Sequence, residues 1–287
     1  MANTKRNIKT EIQVRYGAVA DQAGASDLPL PLDRDGCAPQ TKAAATLTNL
    51  SLAERLYSHE ELADLPDSVT KLSLGCGNPV ALANLRPGET VLDLGCGGGI
   101  DCFLAARAVG PSGRVIGVDV TAAMLARANE NKAKLALSNV DFREGQIERL
   151  PVESESVDSI ISNCVIDISQ DKAAVFAEAF RVLKPGGRMS VTDTVLDGEF
   201  PDAVRANVDR WAGAVITPLI TLKEYLRFIH QAGFAEVGVE SLTSYGLENL
   251  EALDDASRQM LNQGVDWSTV PANAGLYSAR IIARKPS

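Results

Sequence analysis

The pattern of hydrophobic and polar positions changes character near residue 90. From there, short continuous apolar runs alternate with longer stretches whose apolar residues recur every three or four positions. Thr90–Leu94, Arg114–Val118, Val140–Arg143, Val157–Ser162 and Arg188–Thr194 read as strands. Asp101–Val109, Thr121–Leu137 and Lys172–Leu183 read as the helices between them, the second with a Thr cap. Continuous apolar strands separated by helices belong to a parallel sheet covered on both faces. Leu222–Ala232 reads as a further helix stopped by Gly233, since glycine adopts the left-handed conformation that ends helices. Val237–Leu242 and Leu276–Ala283 read as strands at the sheet edge. The expected fold is α/β, with a doubly wound, mostly parallel sheet.

The first part of the chain follows another pattern. Asn7 to Ala20 reads as a short helix ending near Tyr16-Gly17, and residues 21–40, rich in Asp, Pro and Gly, read as a long loop. HEELADL (59–65) reads as one or two helical turns, with Ser58 as N-cap and Glu61 at capping-box spacing. Residues 246–273 are polar and irregular. The chain thus divides into an N-terminal helix and lid or substrate loop (1–58), a core (59–245), and an excursion with a final sheet strand (246–287).

Composition narrows the function classes. The 287 residues are 45% hydrophobic and 23% charged, as in a soluble globular protein of one large domain or two modest ones. The net charge of −9 argues against nucleic acid and anionic membranes as partners. No run reaches the roughly 20 apolar residues of a spanning helix, and the N-terminus has no apolar signal region. A cytoplasmic, acidic monomer acting on a small molecule is expected. There are five cysteines and two histidines. The odd count, with no CxxC pair, predicts free thiols rather than a disulfide scaffold or a zinc site.

The strongest motif is VLDLGCGGGID, Val91 to Asp101. A strand ends at Asp93 and Leu94; Gly95, Gly97 and Gly99 follow at alternate positions; a helix then starts. Glycines here permit positive φ and close approach of a ligand to the backbone. The nicotinamide-dinucleotide fingerprint GxGxxG is not met, because Ile100 stands at its third glycine. Asp119 ends the second strand about twenty residues beyond Gly97, where a carboxylate accepts ribose hydroxyls. The DxGxGxG spacing resembles motif I of class I S-adenosylmethionine (SAM) methyltransferases, which are Rossmann-like. That resemblance implies SAM as cofactor, held by Asp93, Gly95, Gly97, Gly99, Asp119 and Val120. GQIERLP (145–151) then covers the adenine through Gln146, Ile147 and Glu148, and Tyr16 lies over the methionine end. LKPGG (183–187) is a turn common in this superfamily and is read as serving the fold.

Two cysteine contexts narrow the acceptor. Cys76 lies in SLGCGNP, shortly before the glycine loop, and Cys164 in ISNCVIDISQDK, at the end of the fourth strand. With DCFLAA (101–106), these segments resemble arsenite methyltransferases over roughly residues 55–200. The resemblance implies trivalent arsenic held by the thiolates of Cys76 and Cys164, with Asn163 at the cofactor and Cys37 in the N-terminal loop as a further candidate. It also implies a thiol reductant, such as glutathione or thioredoxin, as partner. Thiolates suit a soft, thiophilic centre. The chain departs from the family in one respect: no cysteine follows Cys164, and the stretch near Arg210–Val215 offers none where relatives carry another ligand. The alternative is a small-molecule C-, N- or O-methyltransferase with an organic acceptor, using Glu60, Asp167 or His59 as base. Cys96 and Cys102, inside the loop and at the helix start, are expected to be buried packing residues.

Overall fold

The computed structural model describes residues 8–23, 52–211, 217–245, 261, 266–271 and 274–287. Helix α1 (Ile8–Ala23) comes first, followed by short helical turns at Leu52–Leu56, His59–Leu62, Asp67–Thr70 and Pro79–Leu82. The alternating core then runs β1 (Thr90–Leu94), α2 (Ile100–Val109), β2 (Arg114–Asp119), α3 (Ala122–Lys134), β3 (Val140–Glu144), β4 (Val157–Asn163), α4 (Lys172–Val182) and β5 (Leu183–Asp197). After α5 (Asp202–Trp211) and α6 (Leu222–Gln231) come β6 (Ala235–Ser244) and β7 (Gly275–Arg284). The strand order is β3-β2-β1-β4-β5-β7-β6. The pairs from β3 to β5 are parallel, and β7 runs antiparallel to both β5 and β6.

Strand parity decides which helix each side chain meets, because successive residues point to opposite faces. Leu92 and Leu94 pack with Ile160, Phe176 and Tyr225 on the α4–α6 side. Val91 packs with Val115, Ile161 and Phe103 on the α2 side. Each face is closed by edge-to-face aromatic pairs, Phe176–Tyr225 on one and Phe103–Phe142 on the other. Burying each such large apolar side chain contributes about 1.5–3 kcal/mol. The order reverses between β1 and β4, so their C-terminal ends open a crevice at the switch point, where ligands of this architecture bind.

Helix α5 was not read from the sequence, and three other differences from that reading have a visible cause. Helix α1 passes through Gly17 instead of ending there. Glycine costs a helix only about 1 kcal/mol, and α1 is anchored on α3: Gln13 Nε2 donates to the Val120 carbonyl (3.0 Å), and Arg127 Nε to that of Ala20 (3.2 Å). Thr121 stands at the N-cap of α3 but makes no side-chain cap; its N–H is taken by Asp119 Oδ1 (2.8 Å). The LKPGG segment is drawn into β5 through an irregular register beside Val157, with Gly186 at φ 74°. The capping box at Ser58 and Glu61 forms as expected, and Gly233 ends α6 at φ 103°. Of the expected loop at 21–40, residues 24–40 lie outside the described residues, as does most of the excursion at 246–273.

Candidate active site

At the switch point the chain leaves β1 through Gly95, Gly97 and Gly99, with φ of 70°, 49° and 93°. The first two do different work. A Cβ on Gly95 would lie 2.4 Å from Val165 Cγ2, so this glycine lets the segment after β4 come close. A Cβ on Gly97 would meet nothing within 4 Å: it would project into a cavity of about 350 Å³. At the end of β2, Asp119 closes the loop. Its Oδ2 accepts the Gly97 N–H (2.9 Å) and its Oδ1 that of Thr121. Burial raises its pKa, and the N–H groups of Thr121 and Gly97 oppose that rise. A carboxylate has acceptor capacity on both oxygens, as recognition of a vicinal diol requires.

Tyr16, Gly95, Gly97, Asp119, Val120, Gln146, Ile147, Glu148, Asn163 and Cys164 all line this cavity. Glu148 is held by a short hydrogen bond from Ser169 Oγ. Three expected residues do not line it: Cys76, whose neighbour Gly75 does, Asp93 and Gly99. Asp93 shares the parity of Val91 and so faces α2, where it is 2% exposed and accepts from Cys102 Sγ (3.1 Å). Gly99 caps α2, and a Cβ there would press on Phe103 at 2.8 Å. Cys37 lies outside the described residues.

Asn163, the last residue of β4, organises one wall. Its Oδ1 accepts the N–H groups of Cys76 (3.0 Å) and Gly77 (3.2 Å). Its Nδ2, with two hydrogens, lies within hydrogen-bond distance of three acceptors, the Gly77 carbonyl (2.7 Å), Asp101 Oδ2 (3.1 Å) and the Tyr57 hydroxyl (3.2 Å). Tyr57 in turn donates to Asp101 Oδ1 (2.9 Å). Asp101 and Tyr57 both line the cavity, and the sequence reading singled out neither. Burial pushes the Asp101 carboxyl up to about 6, against the hydrogen bonds from Asn163 and Tyr57. Burial, followed by the charge of Asp101, raises the Tyr57 hydroxyl well above its ordinary value. One signal was available for Asp101, the first polar position of the helix that follows the glycine loop. Tyr57 carried none.

The same clamp seats the cysteines. Cys76 and Cys164, 88 residues apart, meet at a Cα–Cα distance of 5.8 Å and are joined by a disulfide. The expectation of free thiols throughout is corrected here. The physical cause is the Asn163 clamp, which presses the Gly75–Gly77 turn onto the end of β4; a Cβ on Gly75 would lie 2.3 Å from Asn163 Nδ2. Cys164 adopts φ 55°, is 8% exposed, and donates its N–H to the Thr192 carbonyl (2.8 Å). Cys96 and Cys102 are free and buried, as expected of packing residues. Burial raises Cys96 to about 11 and Cys102 well above its ordinary value, which keeps both thiols unreactive.

A methyltransferase-domain family model matches residues 85–233. The chain is 40% identical to the arsenite methyltransferase of Halobacterium salinarum over 283 residues, covering 96% of this chain and 66% of that protein. It is 29% identical to the human arsenite methyltransferase, covering 85% of this chain and 62% of the human protein. It matches the crystal structure of CrArsM, an arsenic(III) S-adenosylmethionine methyltransferase from Chlamydomonas reinhardtii, with a TM-score of 0.64 and 34% identity; the match covers 79% of this chain and 73% of that one. The chain belongs to the arsenite methyltransferase family. It spans a little under two thirds of the Halobacterium and human relatives' lengths.

The cofactor of this methyltransferase domain is SAM, and the site fits it. Positive-φ glycines expose backbone to the cavity. The Asp119 carboxylate stands where a ribose diol is recognised. Apolar walls come from Ile147, Leu72 and Met124. The disulfide abuts this space through Cys164, which lines the cavity. In this arsenite methyltransferase relative, the side chains of Arg210 and Trp211 and all of residues 212–216 lie outside the described positions. No helix among the described residues is long and apolar enough to cross a membrane.

Proposed function

We propose that the protein methylates trivalent arsenic bound by the reduced thiolates of Cys76 and Cys164. One observation carries this reading: two cysteines distant in sequence are brought into bonding contact, and one of them, Cys164, lines the glycine-loop cavity. As a disulfide the pair has no free thiolate to offer arsenic. Two equivalents of a thiol such as glutathione reduce it to two cysteine thiols, the reductant leaving as its own disulfide. The two thiols then displace two hydroxyls from arsenite as water, forming two As–S bonds. A third ligand falls to Cys37 or to an external thiol.

When bound, SAM supplies a sulfonium methyl group to the arsenic lone pair. The chain's own residues supply position and dryness. Asn163 fixes the Cys76 turn against β4 and at the same time ties it to Asp101 at the start of α2. One side chain therefore registers the acceptor against the cofactor loop, which is what an in-line transfer demands. Ile147, Val165 and Ile168 line the cavity beside Cys164 with apolar surface that excludes water. The test is turnover. Reduced protein incubated with SAM, arsenite and glutathione should yield methylated arsenic species, whereas Cys76→Ser and Cys164→Ser should yield none and still bind SAM. Wild-type turnover in both variants would overturn this reading in favour of an organic acceptor.

A further inference from the structure

Directly behind Cys164 lies a group of ionisable side chains that the methyl transfer does not use. Asp193, on β5, is 0% exposed, and Asp167 follows β4. Asp193 Oδ2 accepts from the Tyr225 hydroxyl (2.8 Å) and from the Asp167 N–H (3.1 Å). Asp193 Oδ1 and Asp167 Oδ1 are buried and receive no donor. The nearby ammonium of Lys172 favours both carboxylates through its charge, but its Nζ hydrogen-bonds the backbone carbonyls of Asp167 and Ser169, both at 2.9 Å, and not these oxygens. Two carboxylates packed together with orphaned oxygens repel each other, and burial increases the cost. Lys172 offsets part of that cost, and the orphaned oxygens still lack a direct partner.

A proton can be that partner, and burial raises both carboxyls. The third neighbour points to a different occupant. A carboxylate oxygen from each aspartate and the Cys164 Sγ lie within 4.8 Å of one another. Two oxygens and one thiolate form a donor set of mixed hardness, suited to a borderline divalent ion with metal–oxygen bonds of about 2.0–2.2 Å and metal–sulfur bonds of about 2.3 Å. We propose that Asp167, Asp193 and Cys164, once the disulfide is opened, bind one divalent transition-metal ion of the zinc class. Binding releases the Cys164 thiol proton and any proton shared by the two carboxyls to solvent. Because the ion takes the Cys164 sulfur, it occupies the acceptor's place. The inference goes beyond the arsenic reading and does not depend on it.

Cobalt(II) is the probe, because thiolate ligation gives it a charge-transfer absorption that carboxylates do not. The full chain is reduced with a phosphine, desalted without air and titrated. One equivalent should bind with that absorption, and Zn²⁺ should displace it. Protein whose Cys76–Cys164 disulfide is closed should not show it. Cys164→Ser should abolish the absorption, and Asp167→Asn and Asp193→Asn should each weaken binding more than tenfold. If Asp193→Asn does not fold, Asp167→Asn, which sits at the less buried end, decides. Absence of binding by reduced wild type, persistence of the absorption in Cys164→Ser, or wild-type affinity in Asp167→Asn would each overturn the proposal. None of these readouts requires SAM or an arsenical, so failure here is distinguishable from failure of arsenic methylation.

Discussion

Asp119→Ala tests the cofactor site through a single carboxylate. In the folded protein each oxygen already accepts one backbone N–H, from Gly97 at 2.9 Å and from Thr121 at 2.8 Å. The carboxylate also lines the cavity, where it can accept the two ribose hydroxyls. A hydrogen bond to a charged group is worth about 1.5–3 kcal/mol. Losing the carboxylate should therefore weaken cofactor binding by about 1.5–3 kcal/mol, or roughly 10- to 150-fold in Kd. Folding should suffer less, because Gly97 and Thr121 border the cavity and water can take the place of the carboxylate. Calorimetric titration with S-adenosylhomocysteine measures the loss without turnover. Asp119→Asn keeps one acceptor oxygen and should fall between wild type and Ala. An Asp119→Ala protein with wild-type thermal unfolding and unchanged affinity would refute the placement of the ribose.

Three further outcomes are expected. Asn163→Ala leaves the Cys76 and Gly77 N–H groups without their acceptor, at about 1–3 kcal/mol for each N–H that stays buried; chemical denaturation should show the loss, and Cys76–Cys164 disulfide formation should slow. Asp101 is raised to about 6 from 3.8, so it binds a proton more tightly folded than unfolded. Its contribution to stability is fully present below about pH 4 and is lost as the pH rises through about 6. Asp101→Asn cannot ionise, so its unfolding free energy, measured by urea titration across that window, should decline less than that of wild type. Deleting residues 1–23 removes the α1 side chains Lys9, Ile12 and Tyr16 from the cavity wall; S-adenosylhomocysteine affinity and turnover should fall while the core keeps its cooperative unfolding.

The sheet could be read from sequence because a parallel strand buried on both faces needs a short run rich in apolar residues, and Val91–Leu94, Val115–Val118 and Val157–Ile161, each closed by apolar residues, alternate with helical patterns. The loop could be read because positive φ at three alternating positions demands glycine. What the sequence hid was direction. The motif makes Asp93 look like a cofactor ligand, but pleating turns it toward Cys102 on the opposite face. Asp101, eight positions on, faces the cavity because the first turn of α2 rotates it there. Tyr57 becomes part of the site only through a contact 44 residues away in sequence, and local pattern cannot encode such a contact. Cys76 and Cys164 were both singled out, but their closeness depends on the Asn163 clamp, which exists only after folding.

The most direct measurement is to map where a trivalent arsenical binds. Reduced protein saturated with S-adenosylhomocysteine is treated with one equivalent of a trivalent phenylarsenical, then alkylated and analysed by mass spectrometry. The expected result is one arsenical per chain, with Cys76 and Cys164 protected from alkylation together and Cys96 and Cys102 unaffected by the arsenical. An adduct that leaves Cys76 and Cys164 fully alkylated, or one that protects only the other cysteines, would contradict the assignment of this pair as the acceptor site.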